Sequence, residues 1–228
     1  MTNISISEEI ATACPDLHVL VLSCDVCNSE PDERLWQEIA DEEKAVRETV
    51  KLEQINKWLP IQATRQAYKR LGKDPNRYRP SSEALWRRIL RELPLYKVDT
   101  LVDLINLVSI RSGYSIGGFD ADKIAGGSLV LGVGREGEIY HGIGRGELNI
   151  AGLPVYRDAV GGVGTPTSDE ERTKIGLDTT HLLMRIGGVG GGRKVCRGLI
   201  KQICFSYKHG GGTCHSQRSD ENSAIILL

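Results

Sequence analysis

The sequence predicts an α+β protein, with helices concentrated in the first half and a mainly antiparallel or mixed sheet in the second. Three observations lead there. Apolar residues recur at helical spacing between residues 34 and 108, and short apolar runs alternate with turn residues after residue 113. In addition, 21 of the 26 glycines lie between residues 113 and 192. We expect residues 1–228 to form one domain: an N-terminal segment (1–15), a strand plus helical half (16–112) and a Gly-rich sheet half (113–228).

Taken in order, residues 16–23 contain Leu17-His-Val-Leu-Val-Leu22, a leucine-rich, β-branched run that reads as a buried strand. From residue 34 to 59, Leu35, Ile39, Val46, Val50, Ile55 and Trp58 fall near helical spacing with acids on the other face, giving one long amphipathic helix or two. Pro60 is placed to start a helix over 61–71 and Gly72 to end it. Lys73-Asp-Pro-Asn-Arg-Tyr-Arg-Pro80 is a basic, Pro-rich loop. Ser81 or Ser82 should cap a helix carrying Leu85, Trp86, Ile89 and Leu93. Asp99 or Thr100 should cap another through Leu101, Leu104, Ile105 and Val108, ended by Gly113. Strands are expected over 128–133, 138–141, 154–158 and 181–186, then a helix near 197–207 and a strand over 223–228.

The chain has 228 residues, 40% of them hydrophobic, with 29 Lys+Arg against 30 Asp+Glu, which is a globular composition. No apolar run approaches the ~18–20 residues that span a bilayer, and residues 1–10 carry Glu8 and Glu9 in place of a basic, then apolar, leader. A soluble, cytoplasmic protein without a membrane partner is expected, its six cysteines reduced. Cys24-Asp-Val-Cys27 has metal-knuckle spacing, and Cys214-His215 would complete a tetrahedral set, but a second knuckle is missing. Small buried hydrophobes are the better reading, and neither metal nor cofactor is expected.

The Gly-rich motifs are poor phosphate loops. Neither Gly142-Ile-Gly-Arg-Gly146 nor Gly188-Val-Gly-Gly-Gly192 ends in Gly-Lys-Ser/Thr, and turns between strands explain both. His209-Gly-Gly-Gly212 looks like an esterase oxyanion loop, yet no G-x-S-x-G elbow accompanies it.

Charge is more informative once divided along the chain. Residues 1–59 hold 13 acids and 5 bases, 60–97 hold 3 and 10, and 98–228 hold 14 of each. In the basic segment Lys69, Arg70, Lys73, Arg77, Arg79, Arg87, Arg88 and Arg91 are interleaved with Tyr68, Tyr78 and Trp86. That is the composition of a phosphate-contacting surface with stacking groups, or of a solvated face that neutralises the acidic helices before it. Two polar stretches suit a pocket that binds a polar substrate and orients water: Asp103 to Asn106, leading on to Gly117-Gly-Phe-Asp120, and the run from Tyr156 to Thr173. In the second, Ser168 equally suits the cap of a helix whose first turn holds Asp169 to Glu171.

These residues together resemble a known family. Arg65-Gln-Ala-Tyr-Lys-Arg-Leu-Gly72, Arg79-Pro-Ser-Ser-Glu-Ala-Leu85, Leu101-Val-Asp-Leu-Ile-Asn-Leu-Val108, Gly117-Gly-Phe-Asp-Ala-Asp-Lys-Ile124, Tyr156-Arg-Asp158 and Gly164-Thr-Pro-Thr-Ser-Asp-Glu-Glu-Arg-Thr173 are similar, in order, to the B3/B4 domain. That domain is the editing module of the bacterial phenylalanyl-tRNA synthetase β subunit and also occurs as free-standing proteins. The resemblance implies a tRNA-binding protein that hydrolyses mischarged or non-standard aminoacyl-tRNA in trans, an aminoacyl-tRNA deacylase with no cofactor and no DNA partner. The alternative is a non-catalytic tRNA-, RNA- or amino-acid-binding module that keeps the fold. It implies Asn106, Thr165, Thr167 and Asp169 as catalytic candidates, and Gly117, Asp120, Gly164, Ser168 and Glu170 around the substrate. Arg77, Arg79, Arg87 and Arg88 would contact the acceptor end. Gly117 stands where the family has a pocket histidine, and Ser168, Asp169 or Glu170 matches the family's hydroxyl-recognising glutamate.

Overall fold

A computed structural model describes residues 3–189. Its elements are β1 (Asn3–Ile6), α1 (Glu8–Ala13), β2 (Leu17–Asp25), α2 (Glu33–Thr49), α3 (Leu59–Arg70), α4 (Ser81–Leu90), α5 (Thr100–Ser112), β3 (Ile116–Asp120), β4 (Ser128–Val133), β5 (His141–Gly142), β6 (Gly146–Glu147), β7 (Pro154–Arg157), β8 (Gly162–Gly164) and β9 (His181–Val189). The class is α+β, with the longer helices in the first half.

Two sheets pack face to face. One has the order β2-β9-β3 and is antiparallel; the other is β1-β4-β7-β8, in which β1 runs parallel to β4 and the remaining pairs are antiparallel. Strand alternation assigns the faces of the first sheet. Leu20, Ile116, Leu182, Met184 and Ile186 point to one side and pack with Leu35 and Ile39 of α2 and Leu104 and Ile105 of α5. Val19, Val21, Phe119 and Leu183 point to the other side and pack with Ile4, Leu129, Leu131, Tyr156 and Val163 of the second sheet. Arg185 follows the second set in register, opposite Gly117 and Val21.

Local chemistry sets the helix ends. Asp32 caps α2 by accepting from the Arg34 and Leu35 N–H groups. This helix stops at Thr49, and a 3-10 turn over Leu52–Lys57 follows, so the long amphipathic stretch divides in two. Pro60 lies in the first turn of α3, and Gly72 ends it at φ +79°. Asp99 caps α5 through the Val102 N–H. Gly113 closes that helix at φ +73°, where a Cβ would also lie 2.7 Å from the Trp58 ring.

Several expectations are corrected. The helix α4 has Pro80 at its cap and no side-chain cap, because Ser81 donates its N–H to the Pro166 carbonyl and the Ser82 hydroxyl pairs with that of Ser115. The strand expected over 138–141 shrinks to β5, since the Glu138 carboxylate accepts from Arg157 and from the Arg135 N–H. Ser168 caps nothing; Glu170 does, accepting from Arg172 N–H at the start of a 3-10 turn over Glu171–Thr173. Gly144 and Gly146, both at positive φ, turn the chain between β5 and β6 as expected. Cys14 is buried, which pushes its thiol pKa up, whereas Cys27 is exposed and so is no core hydrophobe. Among the described residues no group of three or more metal-ligating side chains gathers, and no helix is long and apolar enough to cross a membrane. The helix and strand expected over 197–207 and 223–228 lie outside the described residues, as do 209–212, Cys196, Cys204, Cys214 and His215.

Candidate functional site

The turn after β8 is tied together by one side chain. Thr165 Oγ1 donates to the Ser168 carbonyl at 2.9 Å and accepts from the Thr167 and Ser168 N–H groups at 3.1 and 3.0 Å. The turn is also held from outside. Tyr68 of α3 pairs its hydroxyl with Thr167 Oγ1 at 2.9 Å, the Tyr140 hydroxyl donates to the Ser168 carbonyl at 2.7 Å, and the start of α4 docks on Pro166. Burial pushes the Tyr68 and Tyr140 hydroxyls far above the ordinary phenol range, so both stay protonated.

Behind the turn lies Arg185, 2% exposed. Its Nη2 donates to the Thr165 carbonyl at 2.9 Å and to Asp169 Oδ1 at 2.8 Å. The guanidinium stacks on Tyr156, 4.4 Å from the ring centroid, with Phe119 at 5.3 Å. It fills the space over Gly117, where a Cβ would lie 2.7 Å from Arg185 Cζ, and it abuts Gly164, whose Cβ would lie 2.7 Å from Nη2. Asp169 is its counter-ion; desolvation pushes the carboxyl up to about 6, the Arg185 contact offsetting part of that rise.

In front of the turn is a cavity of about 230 Å³. It is lined by Thr165 and Thr167, by the apolar Leu148, Ile150, Leu153 and Ala84, and by Arg77, Tyr78, Arg79, Arg145 and Asn149. Arg77, Arg79 and Arg145 are exposed. Among the described residues no carboxylate and no histidine lines it. Tyr78 is pinned by cations, Lys73 Nζ lying 3.8 Å and Arg77 Cζ 5.8 Å from its ring centroid.

The structure therefore unites two of the groups singled out in the sequence and separates the rest. Thr165 and Thr167 share a cavity with Arg77 and Arg79. Gly117, Gly164 and Asp169 meet around Arg185, one layer deeper. Asn106 is on α5, which covers the opposite face of the first sheet: Ile105 Cδ1 lies 2.5 Å from where a Cβ on Gly118 would be. Asp120 binds Thr179 Oγ1, the Asp122 N–H and Lys123; burial raises its pKa, and these partners outweigh that and hold it low. The Glu170 carboxylate is spent on its cap, and Ser168 contributes its carbonyl. Arg87 bonds Glu83 and Asn56, and Arg88 bonds the Pro94 carbonyl and stacks on Tyr96. Two contributors went unseen in the sequence. Arg185 sits in an otherwise apolar strand run, an anomaly that marks it in hindsight, whereas Arg145 looked like a turn residue and carried no signal.

The B3/4 domain model matches residues 63–193, a span that contains every residue lining the cavity as well as Arg185. Among solved structures, the chain is similar to an N-terminal fragment of the phenylalanyl-tRNA synthetase β subunit from Pyrococcus horikoshii, with 14% identity and a TM-score of 0.43. That alignment covers 89% of this chain and 49% of the fragment, so the chain spans about half the fragment's length. No curated protein sequence matches the chain.

Proposed function

Because the chain belongs to the B3/4 domain family, we propose that it binds the acceptor end of an aminoacyl-tRNA and hydrolyses a mischarged or non-standard aminoacyl ester in trans. The observation that carries this reading is the cavity, which exposed Arg77, Arg79 and Arg145 line together with Thr165 and Thr167. Its volume is below the roughly 300–1,000 Å³ of drug-sized sites and suits a group of amino-acid or nucleotide-fragment size.

In this reading the arginines take backbone phosphate and the ester lies against Thr165 and Thr167. Thr167 Oγ1, backed by the Tyr68 hydroxyl, orients the attacking water. Water oxygen adds to the acyl carbon, the bond to the ribose oxygen breaks, and a water proton passes to that oxygen through the neighbouring ribose hydroxyl. The products are free amino acid and tRNA. Among the described residues the lining holds no general base, and in this reading the substrate hydroxyl performs that transfer.

A second reading, tRNA binding without catalysis, is favoured by one observation: Arg185 fills the space over Gly117 that the family's histidine would use. Amino-acid release from a panel of radiolabelled aminoacyl-tRNAs separates the two. Thr167→Val should slow release roughly 10²-fold, the order expected for a lost transition-state donor, with tRNA binding retained. If tRNA binds and no ester in the panel is cleaved above background, the second reading replaces the first.

A further inference from the structure

We infer that Arg185 is a positioning residue for the Thr165–Thr167 part of the cavity lining, and that Asp169 controls its hold by gaining or losing a proton; this rests on the reading of that turn as the working surface of the site. A single nitrogen carries the contact. Arg185 Nη2 donates to the Thr165 carbonyl and to Asp169 Oδ1, so it clips together the two ends of a turn whose interior N–H groups are held by Thr165 Oγ1. Among the described residues Arg185 Nε is buried without a hydrogen-bond partner, and Asp169 is the one acid paired with the guanidinium. No second carboxylate is in place there to take over the charge.

Asp169 also reaches the segment that carries Arg145. Its backbone carbonyl accepts from the Ile143 N–H at 3.0 Å, and Arg145, two residues further on, lines the cavity. The side chain of Asp169 is 18% exposed, so protons reach it although the Arg185 side chain behind it is 2% exposed. Tyr140 before β5, Tyr156 on β7 and Tyr68 on α3 surround the pair and stay protonated, Glu170 follows in the chain, and the Gly118 N–H of β3 donates to the carboxylate. With its carboxyl raised to about 6, Asp169 passes from charged to neutral in mild acid. Protonation removes the charge-assisted acceptor and leaves a buried cation without its counter-ion, which loosens the clip. Because this pKa lies above the unfolded value of about 3.9, the same protonation favours the fold as a whole, so loosening of the turn and global unfolding run in opposite directions.

Hydrogen exchange of the Thr167 and Ser168 amides in the full chain, corrected for intrinsic rate, tests this between pH ~5 and pH ~8, either side of the Asp169 transition. Protection should be about tenfold lower at the acid end, the order of one charge-assisted hydrogen bond, while amides inside α5 show no such step. Asp169→Asn should keep the low protection at both ends, and His141→Gln, which removes an exposed imidazole near Ile143, should retain the step. The parent series decides the matter alone if Asp169→Asn does not fold. Flat protection in the parent overturns the inference, as does a step shared by the α5 amides or lost in His141→Gln. Ester cleavage with flat protection removes this inference and leaves the deacylase reading standing. A step confined to the turn in a chain that cleaves no ester supports the clip and removes the deacylase.

Discussion

The Cβ atoms that Gly117 and Gly164 lack would each approach the Arg185 guanidinium to 2.7 Å. Gly117 is therefore a steric requirement of one buried cation and Gly164 of that cation together with Asp169 and Phe119; the cation would be costly in a core but for Asp169, the Thr165 carbonyl and the Tyr156 face. Gly117→Ala should destabilise the chain by about 1–3 kcal/mol, the cost of overpacking a filled site; thermal unfolding will measure it. If alanine is tolerated without loss, Arg185 has room to move and does not hold the turn. In the sequence, Gly117 was visible only as a departure from a pattern. Its cause sits 68 positions along the chain and becomes its neighbour through strand pairing.

The helices α3 and α4 are bound by a single acid. Glu83, fully buried, accepts from Arg65 Nη1 at 2.9 Å and from Arg87 Nε at 2.8 Å, with Arg79 Nε at 4.0 Å. Of the two readings of the basic segment, internal neutralisation is right for Arg65 and Arg87, but the partner is an acid of their own segment; Glu38 and Glu42 of α2 pair with Arg111 on α5. Glu83→Ala should cost ~3–5 kcal/mol, as for other broken buried pairs, and Glu83→Gln less, both read from urea midpoints. A second tie is Asp158, in the connection after β7. Its buried carboxylate accepts from the Ala125, Val160 and Gly161 N–H groups and twice from Arg172. Burial pushes its pKa up, but these five bonds outweigh that and pull it to about 2. A pKa below the unfolded value of about 3.9 adds stability above pH ~4 that is lost as pH falls through ~2. The contribution is about 2 kcal/mol. Asp158→Asn should flatten the acid limb of the stability curve in that window. A limb as steep as that of the parent would assign acid lability elsewhere.

A net charge of −1 conceals a polar molecule, whose excess acid lies in residues 1–59 and whose excess base lies in 60–97. Folding directs the unspent part of that base, Arg77 and Arg79, to the cavity mouth and adds Arg145 from the neutral half. Binding of tRNA should thus weaken steeply with salt. Reversing Arg77, Arg79 and Arg145 to Glu should weaken it further and reduce the log–log salt slope by roughly two units, at ~0.7 per phosphate on single-stranded RNA. Filter binding across a salt series checks this; an unchanged slope would return the surface to ordinary solvation.

Most of the elements were legible in the sequence, because periodicity, caps and turn glycines act over a few residues: Asp99, Pro60, Gly72 and Gly113 mark real boundaries. The family was legible as well. The pocket was not. Its lining is drawn from residues 77–84, 145–153 and 165–167, and its rear support from Arg185, so that it exists only once distant segments are packed. Register is the deciding fact: a one-residue slip of β9 would turn Arg185 toward the helices and leave Gly117 facing an apolar neighbour. Composition and local pattern thus determined which elements form, whereas the inter-strand hydrogen bonds and the closure of the core decided which side chains meet.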